Sequence, residues 1–350
     1  MSRSPILLSF LMLLASSCNK DEAPRVLFNG AVSFNASLSS SEPFGNYTGE
    51  YQAIYNSGAR GVQTSAQWGS LNPTGTTFDF APVSNPYFGL DVLKSQGFET
   101  ILLNIPIIAI DKRSMPADIA SLAFSDASVK ARYRAMLDAV KDKINERVKY
   151  IALGNEVDTY FATHASEWPA YVNLVEDAAS YLHTILPGVQ VGVTTTFDGA
   201  TSTAASQVAT LNANMDVVIF TYYPVSNSFL PRDPSTVTTD VSKMLTASGG
   251  KNLVIQEWGY PSSTVLGSSE SKQAQFMTNS FNELKKQGVD KIPFVSFFKF
   301  LDWNAAHCQV LTGQTAGQNF YEFMSSLGLK KNDGTPKEAW HVVENQIKYE

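Results

Sequence analysis

The chain has 350 residues, of which 44% are hydrophobic and 17% charged, so a large core can form and disorder is not expected. The formal net charge is −6 at pH 7 and no basic stripe occurs, which argues against nucleic acid as a partner. Two cysteines exclude a disulfide framework, and the four histidines lack the spacing of metal ligands, so neither a metal nor a cofactor is expected.

The first residues have the pattern of an export signal. Arg3 precedes an apolar run over 6–15 that is short for a bilayer span, and small residues then lead to Cys18. This order resembles a bacterial lipoprotein signal, in which the cysteine is lipidated; an ordinary signal peptide is the alternative. The resemblance predicts a signal peptide over 1–17, a tether over 18–24 and a lipid anchor in the bacterial cell envelope, at the outer membrane. The charged run 20–22 also resembles surface-export signals in the Bacteroidetes.

Lipidation of Cys18 is open to a direct test. We expect mass spectrometry of the native N-terminus to find Cys18 as the first residue, carrying more than one acyl chain, because a single chain anchors a protein only weakly. An unmodified N-terminus at another residue would contradict this prediction.

Eight apolar or β-branched runs follow along the chain. They cover 25–34, 60–68, 99–108, 148–156, 189–196, 215–224, 252–258 and 293–303. Amphipathic helical patterns lie between them, as in "SVKARYRAMLDAVKDKINE", where Tyr133, Leu137, Val140 and Ile144 share one face. Similar patterns occur in "WPAYVNLVEDAASYLHTILPG" and in "ESKQAQFMTNSFNELKKQG", which Gly288 is predicted to end.

Apolar strands that alternate with amphipathic helices indicate a parallel sheet covered by helices. Eight such units predict a (β/α)₈ TIM barrel, an α/β fold, which we assign as a single domain over 25–350. A doubly wound open sheet is the alternative, but the glycine-rich first turn typical of that fold is missing.

The carboxyl ends of the predicted strands carry the residues that could perform chemistry, because the active sites of such barrels lie at that face. The fourth run ends in Asn155-Glu156 and the seventh in Glu257-Trp258. Other polar or aromatic residues near strand ends are Trp68, Asn104, Tyr222, Tyr223 and Trp303. Burial of an unpaired carboxylate is costly, and a pair of carboxylates is the machinery of glycoside hydrolysis. The sequence therefore predicts a glycosidase.

Two segments carry a resemblance to a known group of enzymes. "IALGNEVD" resembles the Asn-Glu signature of glycoside hydrolase clan A, and "VIQEWGYPSS" is similar to the strand-seven segment that holds the clan's nucleophile. The same segments resemble the β-1,3-glucanase family, whereas "IFTYYPVS" resembles endo-β-1,4-galactanases. "GVQTSAQWGSLNP" lacks the arginine that many clan members carry on strand two, so the family and the substrate stay open.

The resemblance implies a role for each matching residue. Glu156 would be the acid/base and Glu257 the nucleophile of a retaining, endo-acting β-glycosidase. Asn155 would bind the sugar 2-hydroxyl, and Tyr223 or Tyr222 would donate a hydrogen bond to the nucleophile. The further residues predicted to bind substrate are Trp303, Trp258, Trp68 and Asn104.

The expected ligand is a β-linked polysaccharide or oligosaccharide, and the expected state is a monomer. Two other functions share these residues. One is a lipid-anchored glycan-binding protein on an inactive barrel, although neither carboxylate is missing. The other is a transglycosylase, which differs in the access of water to the intermediate.

Overall fold

The computed structural model describes residues 28–36 and 47–347. The predicted signal peptide, Cys18 and the tether lie outside these residues, so the lipid anchor stays a prediction. Within them, eight parallel strands form a barrel and confirm the predicted fold class. The strands are β1 (Ala31–Phe34), β2 (Gly61–Ser65), β3 (Thr100–Asn104), β4 (Val148–Ala152), β5 (Gln190–Gly192 and Thr194–Thr196), β6 (Val218–Tyr222), β7 (Leu253–Trp258) and β8 (Phe294–Phe297).

The strands pair in the order of a closed barrel. β2, β3, β4 and the first part of β5 pair in sequence, and the second part of β5 continues through β6, β7 and β8 to β1. The backbone N–H of Arg60 donates to the carbonyl of Val32 at 3.2 Å, which joins β1 to the start of β2 and completes the ring. A short antiparallel ribbon, Ile108–Ala109 with Lys112–Arg113, follows β3.

The helices lie on the outer side of the barrel or, like the two shortly before the last, beside the cavity at its carboxyl face. They are α1 (Tyr47–Asn56), α2 (Trp68–Leu71), α3 (Ala81–Ser84), α4 (Leu90–Ser95), α5 (Ala127–Val140), α6 (Val157–Phe161), α7 (Trp168–Ile185), α8 (Phe197–Thr201), α9 (Ala205–Asn212), α10 (Thr236–Ala247), α11 (Glu270–Gln287), α12 (Ala305–Thr312), α13 (Asn319–Ser325) and α14 (Glu338–Ile347). None of the helices in the described ranges is long and apolar enough to cross a membrane.

The three predicted amphipathic helices are present as α5, α7 and α11. Asp126 caps α5 by accepting from the backbone N–H of Ser128, and Gly288 ends α11 with a φ of 77°. The apolar pattern extends to Ile144, but α5 ends at Val140 and is followed by a 3₁₀ turn over Lys141–Lys143.

Two apolar cores hold the barrel together. The larger one lies between the strands and the helices, where each fully buried Leu, Ile, Val or Phe contributes about 1.5–3 kcal/mol. The smaller one fills the barrel interior, and its buried members are Leu102, Tyr150, Ala152, Val217, Ile219, Val254 and Phe294.

The barrel interior becomes polar towards the carboxyl ends of the strands. Side chains on one face of a strand recur every second residue, so the next inward position after each apolar one can be read from the chain. Val254 is followed by Gln256, Ile219 by Thr221, and Phe294 by Ser296. The buried polar residues of this layer are Ser33, Asn104, Thr194, Thr221, Gln256 and Ser296. The layer underlies the site described next.

Candidate active site

The barrel brings the two predicted catalytic glutamates into one cavity. Glu156 follows β4 and Glu257 lies near the end of β7, and both line a cavity of about 530 Å³ at the carboxyl face of the strands. Loops after β3, β4, β5, β6 and β8 form the rest of the cavity wall. Two carboxylates from strands far apart in sequence therefore face one enclosed space.

A β-bulge in β7 points two consecutive side chains to the same side. The pairing of β7 with β6 shifts between Ile255 and Glu257, which leaves Gln256 as the extra residue. Without the bulge, Gln256 and Glu257 would face opposite sides of the sheet. With it, Gln256 contacts residues inside the barrel and Glu257 reaches the cavity.

Glu257 is held by Tyr223. The Tyr223 hydroxyl donates to Glu257 Oε2 at 2.6 Å. Gly259 allows this approach, because a Cβ at that position would lie 2.6 Å from the Tyr223 ring. Burial raises the pKa of Glu257, and the Tyr223 hydrogen bond opposes that rise by stabilising the ionised form.

Glu156 has a different environment. Thr221 Oγ1 donates to Glu156 Oε1 at 2.6 Å. Burial raises the pKa of Glu156 well above its usual value, the negative charge of Glu257 raises it further, and the Thr221 hydrogen bond opposes both. Because the two charges repel, one proton is retained by the pair at neutral pH, and these contacts favour Glu156 as its carrier.

The backbone at Glu156 is strained. Its φ is 50° and its ψ is 44°, a left-handed conformation that costs a residue with a side chain of the order of 1–3 kcal/mol. Among the described residues, the other non-glycine residues with positive φ are Ile110 and Phe229, at 61° and 62°. All three line the cavity. Such strain concentrates at functional sites, where the surrounding structure maintains it.

Asn155 belongs to a chain of polar contacts beside the pair. Thr194 Oγ1 donates to Gln256 Oε1 at 2.7 Å, and Gln256 Nε2 donates to Asn155 Oδ1. Gly154 precedes Asn155 because a Cβ there would lie 2.5 Å from the Tyr171 hydroxyl. The contacts hold Asn155 next to Glu156, and its predicted bond to a sugar hydroxyl stays a prediction.

Aromatic residues of the cavity wall come from segments other than β7. Trp303 and Phe298, both after β8, line the cavity, and their rings meet edge to face with centroids 5.8 Å apart. Phe229, Phe320 and Phe323 line the cavity too and belong to one apolar cluster with Phe298. Trp303 is therefore the predicted aromatic platform that the structure brings to the glutamates.

The structure corrects three predicted substrate contacts. Trp68 and Trp258 are fully buried: Trp68 packs edge to face on Tyr133, and Trp258 Nε1 donates to Ser280 Oγ of α11 at 2.9 Å. Both rings lie in the layer between strands and helices, so neither can touch a sugar. The third corrected contact is that of Tyr222.

Tyr222 is buried away from the cavity, whereas Asn104 lies directly beneath it. The Tyr222 hydroxyl donates to Asp240 of α10 at 3.0 Å, which leaves Tyr223 as the partner of the nucleophile. Asn104 is 3% exposed in the polar layer beneath the cavity, and its Oδ1 has no hydrogen-bond partner among the described residues, so its contact with substrate stays a prediction. The side chains of Tyr222 and Tyr223 point to opposite sides because neighbours on a strand alternate.

Sequence reasoning missed several residues of this site. Thr221 and Gln256 lie within apolar runs and were not selected. Each stands two positions after an apolar residue that faces the barrel interior, and this spacing could have indicated them. Asp198, Phe298 and Lys299 carried no signal, because their positions depend on loops. The described residues contain no group of three or more His, Cys, Asp or Glu side chains that could hold a metal ion.

The fold and the site together define the class of the protein as a TIM barrel with paired carboxylates in a cavity at the carboxyl face of its strands. No protein-family model matches the sequence, and no curated protein matches it. Solved structures do match, at low sequence identity.

Three of the similar structures are glycoside-hydrolase barrels from bacteria. The GH5_18 protein from Bifidobacterium longum subsp. longum ATCC 55813 is 13% identical with a TM-score of 0.70, over 90% of this chain and 78% of that one. The exo-β-1,4-mannosidase Op5Man5 from Opitutaceae bacterium strain TAV5 is 15% identical with a TM-score of 0.70, over 91% and 59%. Xylanase 10B from Thermotoga maritima is 13% identical with a TM-score of 0.64, over 91% and 95%. At these identities the likeness establishes the fold.

Proposed function

We propose that the protein is a retaining, endo-acting β-glycosidase. The observation that carries the proposal is the pair Glu156 and Glu257 in one cavity, with environments that separate their protonation states. Glycoside hydrolysis requires one carboxylic acid and one carboxylate on either side of the scissile bond. The barrel shared with a mannosidase and a xylanase supports this assignment.

In the proposed reaction Glu156 donates its proton to the glycosidic oxygen as the bond to the leaving sugar breaks. Glu257 attacks the anomeric carbon and forms a covalent glycosyl-enzyme. Glu156, now ionised, takes a proton from water, and the resulting hydroxide releases the sugar from Glu257. Two inversions at the anomeric carbon return the β configuration.

Cleavage within a chain is supported by binding space that extends beyond the cavity of the glutamates. A second pocket of about 280 Å³ shares Phe298 and Trp303 with the main cavity. Several consecutive sugar residues of one chain could therefore be bound together. We accordingly propose a β-linked polysaccharide or a long oligosaccharide as the substrate.

A screen on polysaccharides tests the proposal. Purified protein would be incubated with neutral and acidic β-glycans, with Glu257→Gln as the matched inactive control, and the products would be sized. We expect oligosaccharides from at least one glycan, and proton NMR of the first product to show the β anomer. Initial appearance of the α anomer would contradict retention, and the absence of cleavage of every glycan would refute the glycosidase.

Tyr223→Phe should slow the reaction more than it weakens substrate binding. Loss of a hydrogen bond to a charged group costs about 1.5–3 kcal/mol, so kcat should fall about 10- to 100-fold. The variant should also raise the pKa of Glu257 further, which moves the acidic limb of the kcat/KM profile to higher pH. Steady-state kinetics across pH measure both effects.

Tyr222→Phe is the matched control. It removes a hydroxyl from the adjacent residue, whose partner Asp240 lies in the core. We expect a lower melting temperature and an unchanged acidic limb. If Tyr223→Phe alters only KM, its hydroxyl does not tune the nucleophile.

A further inference from the structure

A second pocket adjoins the cavity that holds the glutamates. It occupies about 280 Å³ between β1, β2 and the segment after β8. Phe298 and Trp303 line both spaces, so a chain bound over the glutamates can continue into this pocket. The residues that set its chemistry are Lys299, Gln63, Ser65 and Asn35.

Lys299 is the unusual member of the pocket. Its side chain is 1% exposed, and its Nζ has no hydrogen-bond partner among the described residues. Nζ lies 3.2 Å from the centre of the Trp303 ring and 5.6 Å from the centre of the Phe298 ring. The nearby carboxylate of Asp302 is bound by Lys337 at 2.7 Å. The Lys299 ammonium is thus buried beside the pocket without a hydrogen-bonded anion among the described residues.

Burial of a lone ammonium disfavours its charged form. The pKa of Lys299 is held well below its usual value by this burial, and the negative charges of Glu50 and Asp302 oppose the effect only in part. Contact with an aromatic face compensates incompletely for lost water. An anion in the pocket would supply the missing partner.

A second orphan group lines the same pocket. Gln63 Oε1 is buried and has no hydrogen-bond partner among the described residues. Buried polar groups in native proteins are almost always paired, so unpaired ones indicate a missing ligand or water. An amide oxygen accepts from a hydroxyl, whereas an ammonium donates to an anion. The two groups together match a sugar residue that carries an acidic substituent.

We propose that this pocket is a subsite for an anionic sugar residue, whose carboxylate or sulfate is bound by Lys299 and whose hydroxyl donates to Gln63. The inference rests on the proposed function, since it names the substrate class of the same cleft. The substrate is then an acidic β-glycan, cut next to the acidic residue.

Affinity electrophoresis tests the subsite without turnover. The Glu257→Gln protein would be run through native gels containing hyaluronan, chondroitin sulfate or glucuronoxylan. Each glycan would be compared with its carboxyl-reduced form, and chondroitin sulfate also with its desulfated form. We expect at least one native glycan to retard the protein, and one of the two treatments to weaken that binding at least tenfold without abolishing it. Weakening on carboxyl reduction identifies a carboxylate ligand, and weakening on desulfation a sulfate.

Lys299→Met, made in the same background, should weaken binding of the native glycan at least tenfold and leave binding of the neutral form unchanged. Lys330→Met is the matched control, because Lys330 Nζ also lies over an aromatic ring, at 4.1 Å from Trp340, and lines neither pocket. Lys299→Arg should restore part of the binding. Melting temperatures would verify folding, and the comparison of native and neutral glycans needs no change at Lys299.

Failure of the subsite and failure of the proposed function give different results. If none of the acidic glycans binds, or if Lys299→Met binds them as tightly as its parent, the subsite is wrong. Cleavage of neutral β-glycans by the wild-type protein would then leave the glycosidase intact. Binding of an acidic glycan by a protein that cleaves none of the glycans, acidic or neutral, would support the subsite and refute the glycosidase.

Discussion

Glu257→Ala is expected to abolish hydrolysis. Removal of the nucleophile eliminates the covalent route, and we expect the rate to fall more than about 10⁴-fold, beyond the about 10²–10⁴-fold that general acid–base help contributes. With an aryl β-glycoside of the cleaved sugar, added azide should enter the vacated space and attack the anomeric carbon directly. A single displacement inverts, so the product should be the α-glycosyl azide, identifiable by proton NMR.

Two comparisons make this result specific to Glu257. Glu176→Ala removes a glutamate from α7, where Asn214 Nδ2 donates to it at 2.7 Å, and should leave the rate unchanged. A glycosyl group trapped on the wild-type protein by a slow 2-fluoro glycoside should map to Glu257 by peptide mass spectrometry. Substantial activity of Glu257→Ala would show that the nucleophile has been misassigned.

Glu156→Ala should lose activity in a way that depends on the leaving group. Polysaccharide cleavage needs the proton of Glu156 and should fall about 10²–10⁴-fold. An aryl glycoside with an acidic phenol needs little protonation, so formation of the glycosyl-enzyme should persist. Azide should then release the intermediate as the β-glycosyl azide, the opposite anomer to that from Glu257→Ala. Equal losses on both substrates would argue against an acid/base role.

The pH dependence has a definite sign. Glu156 must be protonated to act as the acid, and its pKa is raised by burial and by Glu257. Loss of this proton should therefore lower kcat/KM only on the alkaline side of neutrality, which gives the alkaline limb. Glu257 must be ionised, which gives the acidic limb. The alkaline limb should disappear in Glu156→Ala with the activated substrate, because no proton donor is then required.

The same shift affects stability. When the pKa of a carboxyl group is higher in the folded state than in the unfolded state, the free energy of unfolding of the protein decreases as pH rises above the unfolded-state pKa. Glu156→Gln removes this effect, so its melting temperature should exceed that of the wild type at neutral pH and approach it below the usual pKa of a glutamate. An equal difference at both pH values would show that Glu156 is not the group responsible.

The order of elements was determined by the sequence. Eight apolar runs, separated by amphipathic patterns such as that of α7, allow few arrangements other than a closed parallel barrel, since each strand needs covering on both faces. The same reasoning found Glu156 and Glu257, because a carboxylate at the end of an apolar strand is exceptional. Their common cavity then follows from the barrel, which brings all strand ends to one face.

Which neighbouring side chain faces the cavity was decided by the tertiary structure. Glu257 is followed by Trp258, and the alternation of a strand sends that ring to Ser280 although the two residues are adjacent. The bulge at Gln256 reverses the alternation once, and no feature of "VIQEWG" indicates it. The side to which each β7 side chain points depends on the pairing of β7 with β6, and the residues of β6 are distant in the chain.

The second pocket could also not be predicted from the sequence. Lys299 lies in the apolar segment "FFKFLDW", where a lysine ordinarily indicates an exposed strand end. Only barrel closure brings the segment after β8 against β1 and β2, encloses the ammonium and places Gln63 in the same pocket. Periodicity determines which residues form strands and helices, whereas the burial and partners of a single side chain depend on contacts between distant segments that only the folded chain specifies.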